Sequence, residues 1–184
     1  MDTLINEFCQ TVRERSIEHQ KAVSILLENG IIGVAITVLR QEIDSLIRVS
    51  YLYSLGANSV ESERLIANFV SGKQWDRATP NGKMQKITDK DMVDLEKGWV
   101  EVVYKFGCKL IHLSEYHSYN RNDPFLKLDS ESKTKIINYL KDYHQYPYET
   151  ISKEQFTSYI SKILKKIVDN TDYYLKEIEN NVSK

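Results

Sequence analysis

Apolar residues recur along most of this chain at intervals of three and four, which is the helical period, and no stretch shows the sustained alternation of a half-buried strand. From Asp2 to Asn29 the pattern runs through Leu4, Ile5, Phe8, Val12, Ile17, Val23, Leu26 and Leu27, and Glu28-Asn29-Gly30 supplies a stop because glycine takes the left-handed conformation at low cost. The longest apolar run follows at once, from Ile31 to Gly56, and is expected to be the helix around which the others pack, antiparallel to the first. Asn58 with Glu61 has the form of a capping box opening a third helix through Ser71. Residues 72–87 hold two glycines, a proline and little periodicity, so they are expected to form the longest loop.

Thr88 with Asp91 makes a second capping box, and the helix behind it is expected to run to about Tyr119 on a stripe of Trp99, Val102, Val103, Phe106, Leu110 and Leu113. Shorter breaks fall at 120–129, before and after Pro124, and at 144–151, around Pro147. Between them Asp129 or Ser130 caps a helix carrying Ile136, Ile137, Tyr139 and Leu140. Ser152 with Gln155 opens the last helix, whose apolar face runs from Phe156 to Ile178. The pattern predicts an all-α, single-domain, mostly antiparallel bundle of about six helices.

Composition narrows the function classes. Seven glycines and three prolines are too few for a turn-rich β fold, and 184 residues suit one domain with a real core. Twenty-five basic against 26 acidic residues leave no global field to attract nucleic acid or a membrane surface, so any anion site must be local. Cys9 and Cys108 lie far apart without metal-type spacing, and reduced thiols used as small apolar fillers account for them. The polar N-terminal stretch lacks the apolar core of an export signal, and the helix from Ile31 is free of charge only to Leu39, well short of the roughly 20 residues of a membrane span. A soluble, cytoplasmic protein without a membrane partner is expected.

Candidate chemistry begins in the central helix, which carries Arg40, Asp44 and Arg48 four residues apart. Ile32, Ile36, Leu39, Ile43 and Ile47 share one face, from whose middle Arg40 lies about 60°, Asp44 about 100° and Arg48 about 140° away. Arg40 is therefore expected to be partly buried, Asp44 to reach both arginines, and Arg48 to lean toward solvent. A half-buried arginine held by a carboxylate is pre-organised to bind a phosphate or another carboxylate, whereas an exposed i, i+4 pair is an ordinary flanking salt bridge.

The second candidate is Lys105 to Asn120. Extending the stripe past Leu113 by four residues reaches His117, at the inner side of the helix's C-terminal end, while His112 falls on another face near Lys109 and Tyr116. No carboxylate or cysteine set completes a zinc site there. Either His117 is satisfied by terminal carbonyls and the helix dipole, or it meets Arg40 and Asp44 across the bundle, with Ser114, Glu115 and Tyr119 placed to contact a substrate.

Leu39-Arg40-Gln41-Glu42-Ile43-Asp44 and Leu113-Ser114-Glu115-Tyr116-His117 resemble the Arg-x-x-x-acid helix and the later histidine segment of bacterial helical proteins related to the HEPN-like superfamily. The resemblance spans two short segments, roughly Leu39 to Tyr53 and Val102 to Phe125. It implies an all-α bundle and, in active members, RNA cleavage or nucleotide processing, often as dimers in toxin or phage-defence systems. The chain departs from the family pattern in one respect: no arginine precedes His117 by the Arg-x(4-6)-His spacing. That spacing occurs instead from Arg13 to His19, outside the resembling segments.

Twelve tyrosines, concentrated in YLYS, EYHSYN, YLKDYHQYPYE and DYYL, either rim the core with hydroxyls at its wet edge or, mixed with lysines, stack bases. Two functional classes follow. In the first, the protein processes nucleotides or nucleic acid without a cofactor: Arg40 and Arg48 hold a phosphate, Asp44 orients them, His117 acts as acid or base, and His112, Ser114 and Tyr119 contact the substrate. In the second it is a non-enzymatic helical module, the partner or antidote of another protein.

Overall fold

The computed structural model describes residues 2–56, 58–111 and 123–182. In chain order they form α1 (Asp2–Glu28), α2 (Ile32–Leu55), α3 (Val60–Val70), β1 (Asp76–Ala78), β2 (Met84–Lys86), α4 (Asp89–Glu96), α5 (Gly98–Ile111), a 3-10 turn (Pro124–Lys127), α6 (Ser130–His144), α7 (Lys153–Thr157) and α8 (Ile160–Val182). The all-α architecture stands. None of these helices is long and apolar enough to cross a membrane.

α2 is the architectural centre, in contact with α1, α3, α4, α5 and α8. Ile36, Leu39, Ile43 and Ile47 are buried on one side, Leu46, Val49 and Leu52 on the others, as in a helix enclosed by its neighbours. The sharp reversal before it comes from Gly30 at φ 70°, where the Gly30 N–H donates to Leu27 O and the Ile31 N–H to Leu26 O at 2.8 Å, a Schellman closure of α1. α8 lays Ile160, Ile163, Leu164, Ile167, Leu175 and Ile178 against the core. Phe106 of α5, Phe125 of the 3-10 turn and Phe156 of α7 meet with ring centres 4.8 to 5.2 Å apart and close the far end.

The structure corrects the sequence expectation in four places. Residues 72–87 are not a plain loop: β1 and β2 pair antiparallel, Asp76 opposite Lys86, Arg77 opposite Gln85 and Ala78 opposite Met84. Each strand has only three residues and no apolar face, so periodicity could not show it; the buried flanks Trp75 and Ile87, joined by the Ile87 N–H to Trp75 O bond at 2.9 Å, anchor the hairpin. The helix expected from Thr88 onward is two, α4 and α5, because Lys97 (φ 51°) and Gly98 (φ 57°) both turn left-handed. The last helix is likewise divided, at Ser158 and Tyr159, into α7 and α8.

Finally, α3 is capped by Ser59, whose Oγ accepts from the Ser62 N–H, and not by Asn58, whose amide donates to Asn181 O of α8 at 2.7 Å. The capping boxes Thr88/Asp91 and Ser152/Gln155 and the Asp129 cap form as expected.

Candidate functional site

Arg40 is placed by three neighbours. Its aliphatic stem lies against Gly107 of α5, its guanidinium carbon sits 4.0 Å from the centre of the Tyr104 ring, and its Nη2 donates to Asp89 Oδ2 at 3.2 Å. Tyr104, Gly107 and Cys108 share one side of α5 through their three- and four-residue spacing, so a single face of that helix receives the whole side chain. Burial works against the Arg40 charge, but the adjacent Cys108 and Tyr104 more than offset it and its pKa lies above the ordinary arginine value. Burial likewise raises the Tyr104 hydroxyl, against the pull of Arg40. Arg40 Nε is buried and has no hydrogen-bond partner among the described residues.

Asp89 is the carboxylate that organises the cluster. It stands at the first position of α4, where an acid is favoured by the helix dipole, and its other oxygen accepts from Arg48 Nη2 at 3.3 Å. Arg48 Nε donates to both oxygens of Asp44 at 3.1 and 3.2 Å, and its guanidinium lies 5.3 Å from the Trp75 ring centre. Asp44 also faces Arg15 of α1 at 3.9 Å. The chain of contacts Arg15, Asp44, Arg48, Asp89, Arg40 sets three cations against two carboxylates, an excess of one positive charge. It borders an open groove of about 360 Å³ lined by Arg15, Thr37, Arg40, Gln41, Asp44 and Asp89.

The helical projection ranks the three charges correctly, with side-chain exposures of 10% for Arg40, 22% for Asp44 and 30% for Arg48. It misassigns one partner. Asp44 pairs with Arg48 and Arg15, not with Arg40, because the Arg40 stem runs toward α5 and delivers its head to α4. Asp89 carries no signal of its own in the sequence beyond following the Thr88 cap.

His112, Ser114, Glu115, Tyr119 and His117 lie outside the described residues. The stripe that leads to them is buried at Val103, Phe106 and Leu110, as expected. The other family-like spacing, Arg13 to His19, is divided by helix geometry: six residues turn about 240°. Arg13 forks onto Glu179 of α8 at 2.6 and 2.8 Å and donates to Asp172 at 3.1 Å, while His19 Nδ1 meets Glu42 Oε2 of α2 at 2.6 Å.

Glu42, which carries no signal in the sequence pattern, is a second buried polar centre. It is fully buried and takes the Ser16 hydroxyl on Oε1 and His19 on Oε2. Both groups spend their bond on the carboxylate, so Ser16 is not aligned with His19 as a nucleophile with its base would be. The cluster closes α1 onto α2. Among the described residues no group of three or more His, Cys, Asp or Glu side chains converges as a metal site.

Comparison with protein-family models, with curated proteins and with solved structures found no match.

Proposed function

We propose that this protein binds and processes nucleotides or nucleic acid through phosphate contacts at the groove of Arg15 and Arg40, which Arg48 adjoins through Asp44 and Asp89. The observation that carries this reading is Arg40: buried, stacked on Tyr104, and held through one guanidinium nitrogen by Asp89. A guanidinium fixed in this way offers its remaining donors without further loss of rotamer freedom, and its planar fork matches a phosphate. Asp89 and Asp44 hold Arg40 and Arg48 in place and give way in part to the incoming anion. His117 is the candidate acid or base and His112, Ser114 and Tyr119 the candidate substrate contacts, and the HEPN-like resemblance makes RNA the first substrate to try. The same reading takes the protein as cytoplasmic and open to self-association.

A second reading has its own support. Asp44 and Asp89 already neutralise most of the arginine charge, as a polar lock between α1, α2 and α4 would require. On that reading the chain is a non-enzymatic helical module that acts by binding another protein.

One experiment separates the two. The purified protein is incubated with RNA and a nucleotide panel beside Arg40→Ala and His117→Ala variants whose fold is verified by circular dichroism. A cleavage or binding signal in the parent that both variants lose supports phosphate chemistry at this site; no signal in the parent overturns it.

A further inference from the structure

A second hollow lies where the end of α6 meets α8, built from elements other than those around the arginine groove. α6 stops at His144 because Gln145 turns left-handed (φ 55°, ψ 43°) and returns its N–H to Leu140 O. The turn leaves a hollow of about 470 Å³ whose lining includes Tyr143, His144, Gln145, Lys162, Lys165 and Lys166. Its charges are unbalanced. Lys165 is paired with Asp169 at 2.8 Å, but Lys162 and Lys166 form no ion pair among the described residues. Each rests on aromatic rings instead: Lys166 Nζ lies 4.2 Å from the Tyr143 centre and 4.7 Å from Trp99, and Lys162 Nζ lies 4.6 Å from Tyr159.

Three rings pack together beside the hollow. Trp99 stacks on Tyr139 at 6.1 Å with 13° between planes, and Tyr143 tilts against both, its side chain half-exposed. The Tyr139 hydroxyl lies 2.9 Å from His144 Nε2. Burial, and then the proximity of Lys166 and Lys162, push the His144 pKa down to about 4, so at neutral pH the ring adds a polar edge without competing charge.

We propose that this hollow binds a phosphate monoester carrying a planar ring, with the phosphate on Lys162 and Lys166 and the ring on the exposed face of Tyr143. Two ammonium groups on successive turns of α8, neither in an ion pair among the described residues, call for a multiply charged anion, and a half-exposed tyrosine with Trp99 tilted against it calls for a flat partner. A free nucleotide and the 5′-phosphorylated end of a single strand share that chemistry. The inference rests on this patch alone and does not require the arginine groove to bind anything.

The two tryptophans make the test site-specific, since Trp99 contacts Tyr143 and Lys166 of the hollow and Trp75 stands beside Arg48. A Trp75→Phe chain, carrying Trp99 as sole reporter, is titrated with adenosine monophosphate, ribose 5-phosphate, adenosine and a short 5′-phosphorylated oligonucleotide. Adenosine monophosphate is expected to change Trp99 emission saturably, with ribose 5-phosphate and adenosine each bound about tenfold more weakly. Lys162→Ala with Lys166→Ala should weaken the nucleotide about tenfold or more, and Tyr143→Ala should reduce it to the affinity of ribose 5-phosphate. Tighter binding of the oligonucleotide assigns the site to strand ends, and weaker binding assigns it to free nucleotides; either result sustains the inference. It is overturned if neither nucleotide nor oligonucleotide gives a saturable change at millimolar concentration, or if the double lysine substitution leaves binding intact. The Trp99→Phe chain, with Trp75 as reporter, reads the arginine groove separately.

Discussion

Gly107 and Arg40 are in direct contact: a Cβ built on Gly107 would stand 3.3 Å from Arg40 Cδ. α5 can therefore approach α2 closely only because residue 107 has no side chain, and that approach seats the Arg40 guanidinium over Tyr104. Alanine at this position gains about 1 kcal/mol of helix propensity but presses on a pinned stem. Gly107→Ala should leave stability within about 1 kcal/mol of the parent, while Gly107→Val, which overpacks the contact, should cost about 2–3 kcal/mol. Urea denaturation of the two variants measures both.

Asp89 competes with any anion for Arg40 and Arg48, since it bonds one nitrogen of each. If the groove receives phosphate, Asp89→Asn should raise affinity for it by about fivefold, the scale of a partly exposed ion pair. Isothermal titration with inorganic phosphate and a nucleotide panel would show it, and weaker binding in this variant would count against the groove.

Glu42 should behave as a structural residue. Glu42→Ala strands Ser16 and His19 in the core and is expected to cost about 3–5 kcal/mol, whereas Glu42→Gln retains an acceptor and should cost less. Chemical denaturation distinguishes them.

His144 makes stability depend on pH in a defined direction. Its pKa falls from 6.5 to about 4 on folding, chiefly by burial and then by Lys166 and Lys162, so the unfolded chain binds the proton more readily. The sign follows: this contribution is complete above pH 6.5 and is lost as pH falls toward 4. Allowing for solvent screening at a half-buried ring, it amounts to about 1–2 kcal/mol. The difference between parent and His144→Gln melting curves, recorded across that interval, should shrink at low pH.

Cys9 is fully buried, and burial together with Glu179 raises its thiol pKa to about 12. A thiol reagent should modify no more than one of the two cysteines in the native protein, Cys108, and both in denaturant. Native-state labelling of Cys9 should follow the unfolding rate.

The sequence by itself determined what depends on residues close along the chain. Helical period defined α1 and α2 to within a residue or two, side-chain caps located the starts of α4, α6 and α7, and angular position around α2 ordered Arg40, Asp44 and Arg48 by burial. These are local consequences of 3.6 residues per turn and of hydrogen bonds three residues apart. The tertiary structure alone decided what depends on meetings between distant segments. It gave Arg40 to Asp89, 49 residues away, and not to Asp44 on its own helix. It joined Ser16 and His19 to Glu42, made a hairpin of two three-residue strands whose anchors are their flanks, and gathered Lys162, Lys166 and Tyr143 into one hollow with Trp99 behind it. No periodicity records such pairings, because the partner of a buried charge is whichever group packing delivers to it, and that is decided when the helices meet.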